Sequence, residues 1–166
     1  MNYIIEEMSE SHWEQVSQIY LEGIKTNKAT FQSTVPTWNE WNNSHIKTCR
    51  LVAISNDTIL GWTALSPTSS RCVYAGVAEV SIYISEKYRD IGVGTTLLNE
   101  LIIRSEKAGF WTLQSGIIAK NTESISLHKR CGFNISGIRE KIAKMNNSEW
   151  LDVVLMERRS TTVGIN

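Results

Sequence analysis

The sequence predicts a single domain of mixed α/β class, with a mixed sheet that carries helices on both faces. Strand-like and helix-like patterns alternate through the middle of the chain in the order β-α-β-α-β, which is typical of α/β domains. Two extended segments joined by a turn at 146–148 end the chain and predict an antiparallel pair. With 166 residues, the chain has the ordinary size of one domain and can bury a core without disulfides or metals. We therefore expect one domain over residues 1–159 and a disordered tail over 160–166.

The first part of the chain is expected to form a strand and two helices. Residues 2–8 have a strand-like pattern. Ser11 and Glu14 have the spacing of a capping box, which predicts the start of a helix. Thr37 and Glu40 repeat this spacing and predict a short second helix, and the segment between the two helices is expected to be irregular.

The middle of the chain predicts a hairpin, a strand and a helix. Apolar runs at 50–55 and 59–66 flank the turn sequence 56–58, which indicates a β-hairpin. A further strand is predicted at 76–85. It leads into an amphipathic helix that Gly109 ends.

The last part returns to the sheet. Residues 111–118 predict a strand, and Asn121 is a candidate N-cap for the helix that follows. Gly132 is expected to end that helix before the extended segment 133–145 and a last strand at 150–158.

The charge balance argues against several classes of partner. Lysine plus arginine and aspartate plus glutamate number 17 each, so the chain lacks the basic excess that accompanies binding to nucleic acids or anionic membranes. No apolar run approaches the roughly 18 residues of a membrane span, and acidic residues follow the N-terminus closely. Neither export nor membrane anchoring is expected.

Three cysteines, Cys49, Cys72 and Cys131, lie far apart in the sequence. They form no CxxC pair and no cluster with histidine at metal-ligand spacing, which indicates reduced thiols in a cytoplasmic protein and no metal site. Each is interpreted as a small buried side chain, since no histidine stands at the spacing that a nucleophilic cysteine requires.

A loop with two glycines stands where the strand at 76–85 gives way to a helix. It comprises Arg89, Asp90, Ile91, Gly92, Val93, Gly94 and Thr95. Glycines allow backbone N–H groups to approach a ligand, and a helix N-terminus favours anions, so the loop suits a pyrophosphate. A tight turn whose glycines serve only packing is the alternative. No Gly-Lys-Ser/Thr follows Gly94, and Leu97 stands where a dinucleotide fingerprint needs a third glycine, which argues against ATP and NAD.

Two segments resemble the motifs of the GNAT acetyltransferases. Arg89, Gly92 and Gly94 satisfy the pattern Gln/Arg-x-x-Gly-x-Gly/Ala of that family, and the segment from Asn121 to Gly132-Phe133 is similar to its later Asn-helix-Gly-Phe motif. The resemblance extends over essentially the whole chain. It implies the GNAT fold, with a central, mostly antiparallel twisted sheet flanked by helices on both faces. It also implies acetyl-CoA as cosubstrate, with no metal.

Shorter segments resemble the phosphinothricin and methionine sulfoximine acetyltransferases within that superfamily. They are residues 78–84, the pair Leu127-His128, and Trp150 with Asp152. The resemblance implies acetyl transfer to the α-amino group of a small amino-acid analogue, by an enzyme that forms a homodimer. A peptide or protein N-acetyltransferase and a non-catalytic CoA-binding module are the alternatives.

Glu79 is the candidate general base. It is an acidic residue within an otherwise apolar strand, where burial would raise its pKa toward the range in which a base works near neutral pH. Strand alternation also permits a solvent-facing Glu79. In the similar enzymes the matching glutamate is the base, acting through water. Backbone N–H groups around Ile82, Tyr83 and Ile84 are the donors that the resemblance implies for polarising the acetyl carbonyl.

Six further residues are candidates for catalysis or binding. Many family members have a tyrosine as general acid at the position of His128, so the identity of the acid stays open. The resemblance implies that Arg71, Phe31 and Ser81 contact the acceptor, and a solvated loop arginine and a core phenylalanine are the respective alternatives for the first two. Asn121, beyond its capping role, and Arg130 are candidates for contacts with CoA.

Overall fold

Seven strands and four α-helices make up the fold in a computed structural model that describes residues 1–166. The strands are β1 (Ile4–Glu7), β2 (Leu51–Ser55), β3 (Thr58–Pro67), β4 (Val77–Ile84), β5 (Thr112–Ile118), β6 (Asn134–Lys144) and β7 (Trp150–Arg159). The helices are α1 (Trp13–Lys25), α2 (Trp38–Ser44), α3 (Val93–Lys107) and α4 (Thr122–Arg130).

The strands form one sheet in the order β1-β2-β3-β4-β5-β7-β6. All neighbours are antiparallel except β4 and β5, which are parallel. The connection between these two runs through α3, as a parallel pair requires. The expected mixed, mostly antiparallel sheet is therefore confirmed.

Helices cover both faces of the sheet. On one face α3 buries Leu97, Leu98 and Leu101 completely against the strands. On the other face α1 and α2 bury Val16 and Trp41 in a second apolar cluster. Successive residues of β4 alternate between the two faces, so its even-numbered residues join the α3 core and its odd-numbered residues face α1.

Local signals in the sequence located most element boundaries. The Glu40 backbone N–H donates to Thr37 Oγ1 (3.2 Å) and the Thr37 N–H donates to Glu40 Oε1 (3.1 Å), which confirms the capping box of α2. The box predicted at Ser11 and Glu14 is wrong. A single 3₁₀ turn, Glu10–His12, precedes α1, and the Ser9 N–H donates to His12 Nδ1 (3.1 Å) instead.

Ser160 and Thr162, in the C-terminal segment 160–166, contact α3. The Ser160 and Thr162 hydroxyls both donate to the Glu106 carboxylate. The Arg159 guanidinium donates to the Val163 carbonyl oxygen at 2.8 Å. None of the helices is long and apolar enough to cross a membrane.

Candidate active site

The sheet opens into a cleft where β4 and β5 part. The two strands pair over only three positions, from Val77 opposite Thr112 to Glu79 opposite Gln114. Beyond Glu79, β4 continues to pair with β3 alone, so the backbone groups on its β5 side have no strand partner. Unpaired backbone N–H groups at such an edge are free to bind a ligand. Two cavities line this cleft.

One cavity, of about 390 Å³, lies between the end of β4 and the N-termini of α3 and α4. It gathers nearly all the residues predicted to bind the cosubstrate: Ile82, Tyr83, Ile84, Arg89, Asp90, Gly92, Val93, Gly94, Thr95, Asn121 and Arg130. Ile91 is the exception, because its side chain is 51% exposed and does not line the cavity. We call this the cofactor cavity.

The loop that is predicted to bind a pyrophosphate contains two glycines with different roles. Gly92 precedes the first residue of α3 with φ +91°, a left-handed conformation that favours glycine, and a Cβ there would meet no atom within 4 Å. Gly94 allows close packing, since a Cβ there would lie 3.2 Å from Leu127 Cδ2 on α4. The first backbone N–H groups of α3 have no partner within the helix and carry a partial positive charge. With Arg89, they suit a pyrophosphate.

A cation that sequence analysis missed also lines the cofactor cavity. Lys28 Nζ lies 3.3 Å from Glu123 Oε2, so an ion pair connects the segment after α1 to the first turn of α4. A backbone hydrogen bond has the largest effect in lowering the pKa of the Glu123 carboxyl. The ion pair with Lys28 and the more distant Arg89 charge lower this pKa further. Lys28 belongs to an irregular segment without a motif, so no sequence signal identifies it.

A second cavity, of about 510 Å³, lies on the α1 side of the cleft. Glu79, Ser81, Phe31 and His128 line it, together with Asn121. It shares wall residues with the cofactor cavity, and these are Ala29, Ile82, Tyr83, Asn121 and Ser124. The two cavities therefore meet, and we call the second one the acceptor cavity.

Glu79 stands at the point where the strands diverge. Its carboxylate forms no hydrogen bond or ion pair within the chain and is exposed toward the acceptor cavity. Partial desolvation by the surrounding protein nevertheless raises the pKa of the Glu79 carboxyl above its ordinary value. A carboxylate that is reachable, unpaired and partly desolvated has the properties of a general base.

His128 is almost completely buried, with 1% of its surface exposed. Its Nδ1 lies 2.7 Å from the Ser124 carbonyl oxygen, which can only accept a hydrogen bond, so Nδ1 carries the proton. Burial lowers the pKa of the His128 imidazole. The ring is therefore neutral near pH 7, and its Nε2 is a hydrogen-bond acceptor without a partner in the chain.

The structure brings two of the three predicted acceptor-binding residues to the cavity. Phe31 lines it and packs against a small apolar cluster that includes Ile118. Ser81 lies on β4 two residues after Glu79. Arg71 lines neither cavity, since it is exposed in the loop after β3 with its guanidinium carbon 5.7 Å from the centre of the Tyr74 ring.

One wall of the acceptor cavity consists of side chains that no sequence motif predicts. The missed side chains come from α1, α2 and the segment between them, and they are Tyr20, Gln32, Ser44 and His45. The Tyr20 hydroxyl donates to Gln32 Oε1 at 2.6 Å. These residues have no motif in common and are brought together only by the packing of α1 and α2 on the sheet.

The chain is similar to known acetyltransferases. Residues 5–133 match the model of the Acetyltransferase (GNAT) family. The chain is 30% identical over 149 residues to the phosphinothricin N-acetyltransferase of Alcaligenes faecalis, covering 86% of this chain and 75% of that protein. It is 27% identical over 138 residues to the L-methionine sulfoximine/L-methionine sulfone acetyltransferase of Pseudomonas aeruginosa, covering 75% of this chain and 80% of that protein.

A solved structure is also similar over the whole chain. The GNAT superfamily phosphinothricin acetyltransferase of Sinorhizobium meliloti, in complex with acetyl-CoA, has a TM-score of 0.89 and 25% sequence identity. The match covers 100% of this chain and 92% of that one. The resemblance to this group of acetyltransferases, which rests on short motifs in the sequence, is thereby confirmed.

Proposed function

This chain belongs to the GNAT family and is an acetyl-CoA-dependent N-acetyltransferase, and on this premise we propose that it acetylates the α-amino group of a small amino-acid-like molecule. The observation that carries the proposal is the acceptor cavity, which Glu79 lines and which meets the cofactor cavity at Ile82 and Tyr83 of the same strand. Its volume of about 510 Å³ suits a small molecule. Relatives that act on phosphinothricin and methionine sulfoximine support an acceptor of that type.

Binding of acetyl-CoA is assigned to the cofactor cavity. The N-terminus of α3, Arg89 and Lys28 bind the pyrophosphate through backbone N–H groups and positive charge. The unpaired edge of β4 from Ile82 to Ile84 orients the pantetheine arm and polarises the acetyl carbonyl. Asn121 and Arg130 are proposed as further contacts with CoA.

Glu79 is proposed to remove the proton that the acceptor's ammonium group carries, directly or through one water molecule. The neutral amine nitrogen then forms a bond to the acetyl carbon, and the bond from that carbon to the CoA sulfur breaks. The sulfur leaves as a thiolate, and the nitrogen releases its second proton to His128 Nε2 or to water, which gives the neutral amide. Its thiol has a pKa of about 8.5, which makes it a fair leaving group without assistance.

His128 is the second candidate catalytic residue. Because its Nε2 carries no proton in the neutral ring, it must first receive one from the reacting amine before it can protonate the departing sulfur. A fall in kcat of about 100-fold in His128→Leu supports this role, since general acids contribute about 10²- to 10⁴-fold. An unchanged kcat means that the thiolate departs without His128.

Three residues are proposed to hold the acceptor. Phe31 and Ser81 contribute walls of the cavity. Arg71 lies in the loop that follows β3. That strand ends at Pro67, directly after Ser66, which pairs with Glu79 of β4. From this loop a guanidinium can bind the acceptor's carboxylate in a bidentate manner at the cavity mouth. That contact requires Arg71 to leave the Tyr74 ring.

A homodimer and a cytoplasmic location complete the proposal. Apolar side chains are exposed on the β6–β7 edge, and they are Ile135, Ile138, Ile142 and Trp150. Such a patch suits a protein interface, and the segment 144–152 is proposed to complete the neighbouring subunit's site. Analytical ultracentrifugation tests this, because a fully active monomer contradicts it.

Three free cysteines favour a reducing cytoplasm.

Mass spectrometry of the products tests the proposed acceptor. The panel contains methionine sulfoximine, phosphinothricin, ordinary amino acids, polyamines and short peptides, each with acetyl-CoA. Product masses are needed because a thiol reagent for CoA also labels Cys72, which is exposed and not buried as the sequence predicted. Acetylation confined to amino-acid analogues supports the proposal. Preference for peptides favours a peptide N-acetyltransferase, and binding of acetyl-CoA without any acetylated product favours a CoA-binding module.

A further inference from the structure

The C-terminal end of α2 forms one wall of the acceptor cavity and is held rigidly. Ser44 and His45 contribute to this wall. Arg50, only 7% exposed, donates from Nε to the Ile46 carbonyl oxygen (2.7 Å) and from Nη2 to that of His45 (3.1 Å). Its Nη1 and Nη2 also bind Asn42. A cation is a favourable partner for the unpaired carbonyls at a helix C-terminus.

Aromatic packing fixes the His45 ring in this wall. The His45 imidazole stacks on Trp41 with 4.1 Å between ring centres and 17° between planes. The Arg50 guanidinium also lies over Trp41, 5.0 Å from the centre of that ring, and over the neighbouring Trp38 at 5.9 Å. A stacked and hydrogen-bonded ring of this kind has a single orientation.

The hydrogen bonds of His45 decide what its second nitrogen can do. Nδ1 lies 2.7 Å from the Trp41 carbonyl oxygen, which can only accept, so Nδ1 carries the proton. Burial, and then the nearby Arg50 charge, lower the pKa of the imidazole and oppose a second proton. Nε2 is therefore a lone-pair acceptor, and it makes no hydrogen bond within the chain.

We infer that His45 is a specificity-determining residue, whose Nε2 accepts a hydrogen bond from an N–H or O–H donor at the far end of the acceptor molecule. The inference rests on the proposed function, because it places the acceptor in this cavity with its amine beside Glu79. An acceptor whose far end carries oxygen atoms alone presents a lone pair to a lone pair and leaves Nε2 unsatisfied.

The neighbouring groups of the cavity differ from this acceptor, and Gln32 Oε1 already accepts a hydrogen bond from the Tyr20 hydroxyl. Serine and threonine hydroxyls can donate or accept, so they adapt to either kind of far end. Four of the five N–H donors of Arg50 are bound to carbonyl and amide oxygens of 42–46, and Arg50 does not line the cavity. Glu79 and His128 lie on other walls, formed by β4 and α4. The preference of the α2 wall for an acceptor molecule with a hydrogen-bond donor at its far end therefore depends on His45.

L-methionine sulfoximine and L-methionine sulfone test the inference, because they differ at the far end by one N–H group in place of an oxygen. Binding of each to the protein saturated with CoA, which carries no acetyl group, is measured by isothermal titration calorimetry. We expect the sulfoximine to bind about tenfold more tightly, as is typical of a lost hydrogen bond at a buried polar group. In His45→Phe, which retains an aromatic ring over Trp41, the ratio of the two affinities falls to about one.

Control variants separate this effect from general damage. His12→Phe changes a histidine that lines neither cavity and leaves the ratio at its wild-type value. His45→Gln provides an amide oxygen and retains part of the preference, which tests the inference even where His45→Phe fails to fold. Equal affinities in the wild type, an unchanged ratio in His45→Phe, or no binding of either ligand overturns the inference.

Turnover distinguishes this inference from the proposed function. Preferential binding of the sulfoximine without acetylation refutes the proposed acceptor class but leaves the role of His45 intact. Acetylation of both compounds with equal affinity supports the proposed function and refutes the role of His45.

Discussion

Glu79 is the last residue of β4 that pairs with β5, and it stands directly opposite Gln114. The cleft begins at this pair, since the two strands separate immediately beyond it. The carboxylate that is proposed as the base is thus fixed at the vertex of the cleft, on the wall of the acceptor cavity. The sheet itself, rather than a mobile loop, positions the reacting group, which favours a precise geometry.

Lys28→Met is predicted to weaken acetyl-CoA binding. Loss of the cation from the cofactor cavity should raise KM for acetyl-CoA about two- to tenfold, the effect of a partly exposed charged contact. Stability should change by less than about 1 kcal/mol, because the Lys28–Glu123 pair is partly exposed to solvent. Lys25→Met, which removes an exposed charge at the C-terminal end of α1, is the matched control, and an equal rise in KM there contradicts the assignment.

Gly92→Ala is predicted to impair both stability and cosubstrate binding. The left-handed backbone at this position costs an alanine about 1–2 kcal/mol, and relaxation of that strain displaces the N–H groups at the start of α3. Thermal unfolding and KM for acetyl-CoA measure the two effects. Gly137→Ala is the control. A Cβ at Gly137 would also meet no atom within 4 Å, but the backbone there does not have a positive φ. A Gly92→Ala protein with wild-type stability and KM would argue against a conformational requirement.

His128→Leu is predicted to reduce the loss of stability at acidic pH. The pKa of folded His128 is lowered by burial, so its contribution is fully present above the unfolded value of about 6.5 and is lost as pH falls through the folded pKa. In that window the wild type should lose up to about 1.4 kcal/mol more per pH unit than the variant.

Urea unfolding between neutral pH and pH 5 measures this difference. His45, whose pKa is also lowered, and Glu79, whose raised pKa acts in the opposite sense, are present in both proteins and cancel in the comparison. Parallel pH dependences of the two proteins would show that His128 is not buried in its neutral form.

Local signals in the sequence predicted the elements of the fold, whereas the sheet order depends on non-local contacts. The glycine that ends α4 and the capping box of α2 act over a few residues, so they are visible in the chain. Insertion of β7 between β5 and β6 depends on contacts between distant segments and has no local signature. The failed prediction at Ser11 has a similar cause, since a preceding 3₁₀ turn moves the start of the helical segment to Ser9.

The residues of the candidate site also fall into two groups: those that local sequence patterns predicted and those that only the folding of the chain brings to the cavities. Motif residues such as Gly92 and Glu79 lie on consecutive elements and were found by pattern. Lys28 and His45 reach the cavities only because α1 and α2 pack on the sheet. Arg71 follows the family pattern but lies outside both cavities, and its contact with the acceptor stays a prediction.

The most direct test of the account compares kcat/KM of wild type and Glu79→Gln over a range of pH, with acetyl-CoA and methionine sulfoximine as substrates. We expect the variant to bind CoA normally and to lose about 10²- to 10⁴-fold in kcat/KM near neutral pH. That loss should shrink as rising pH deprotonates the amine without a base. In the wild type, activity should fall as pH drops through the pKa of Glu79, above the ordinary value of a glutamate. Turnover within a few-fold of wild type, with the same pH profile, would contradict the role of Glu79 as the base.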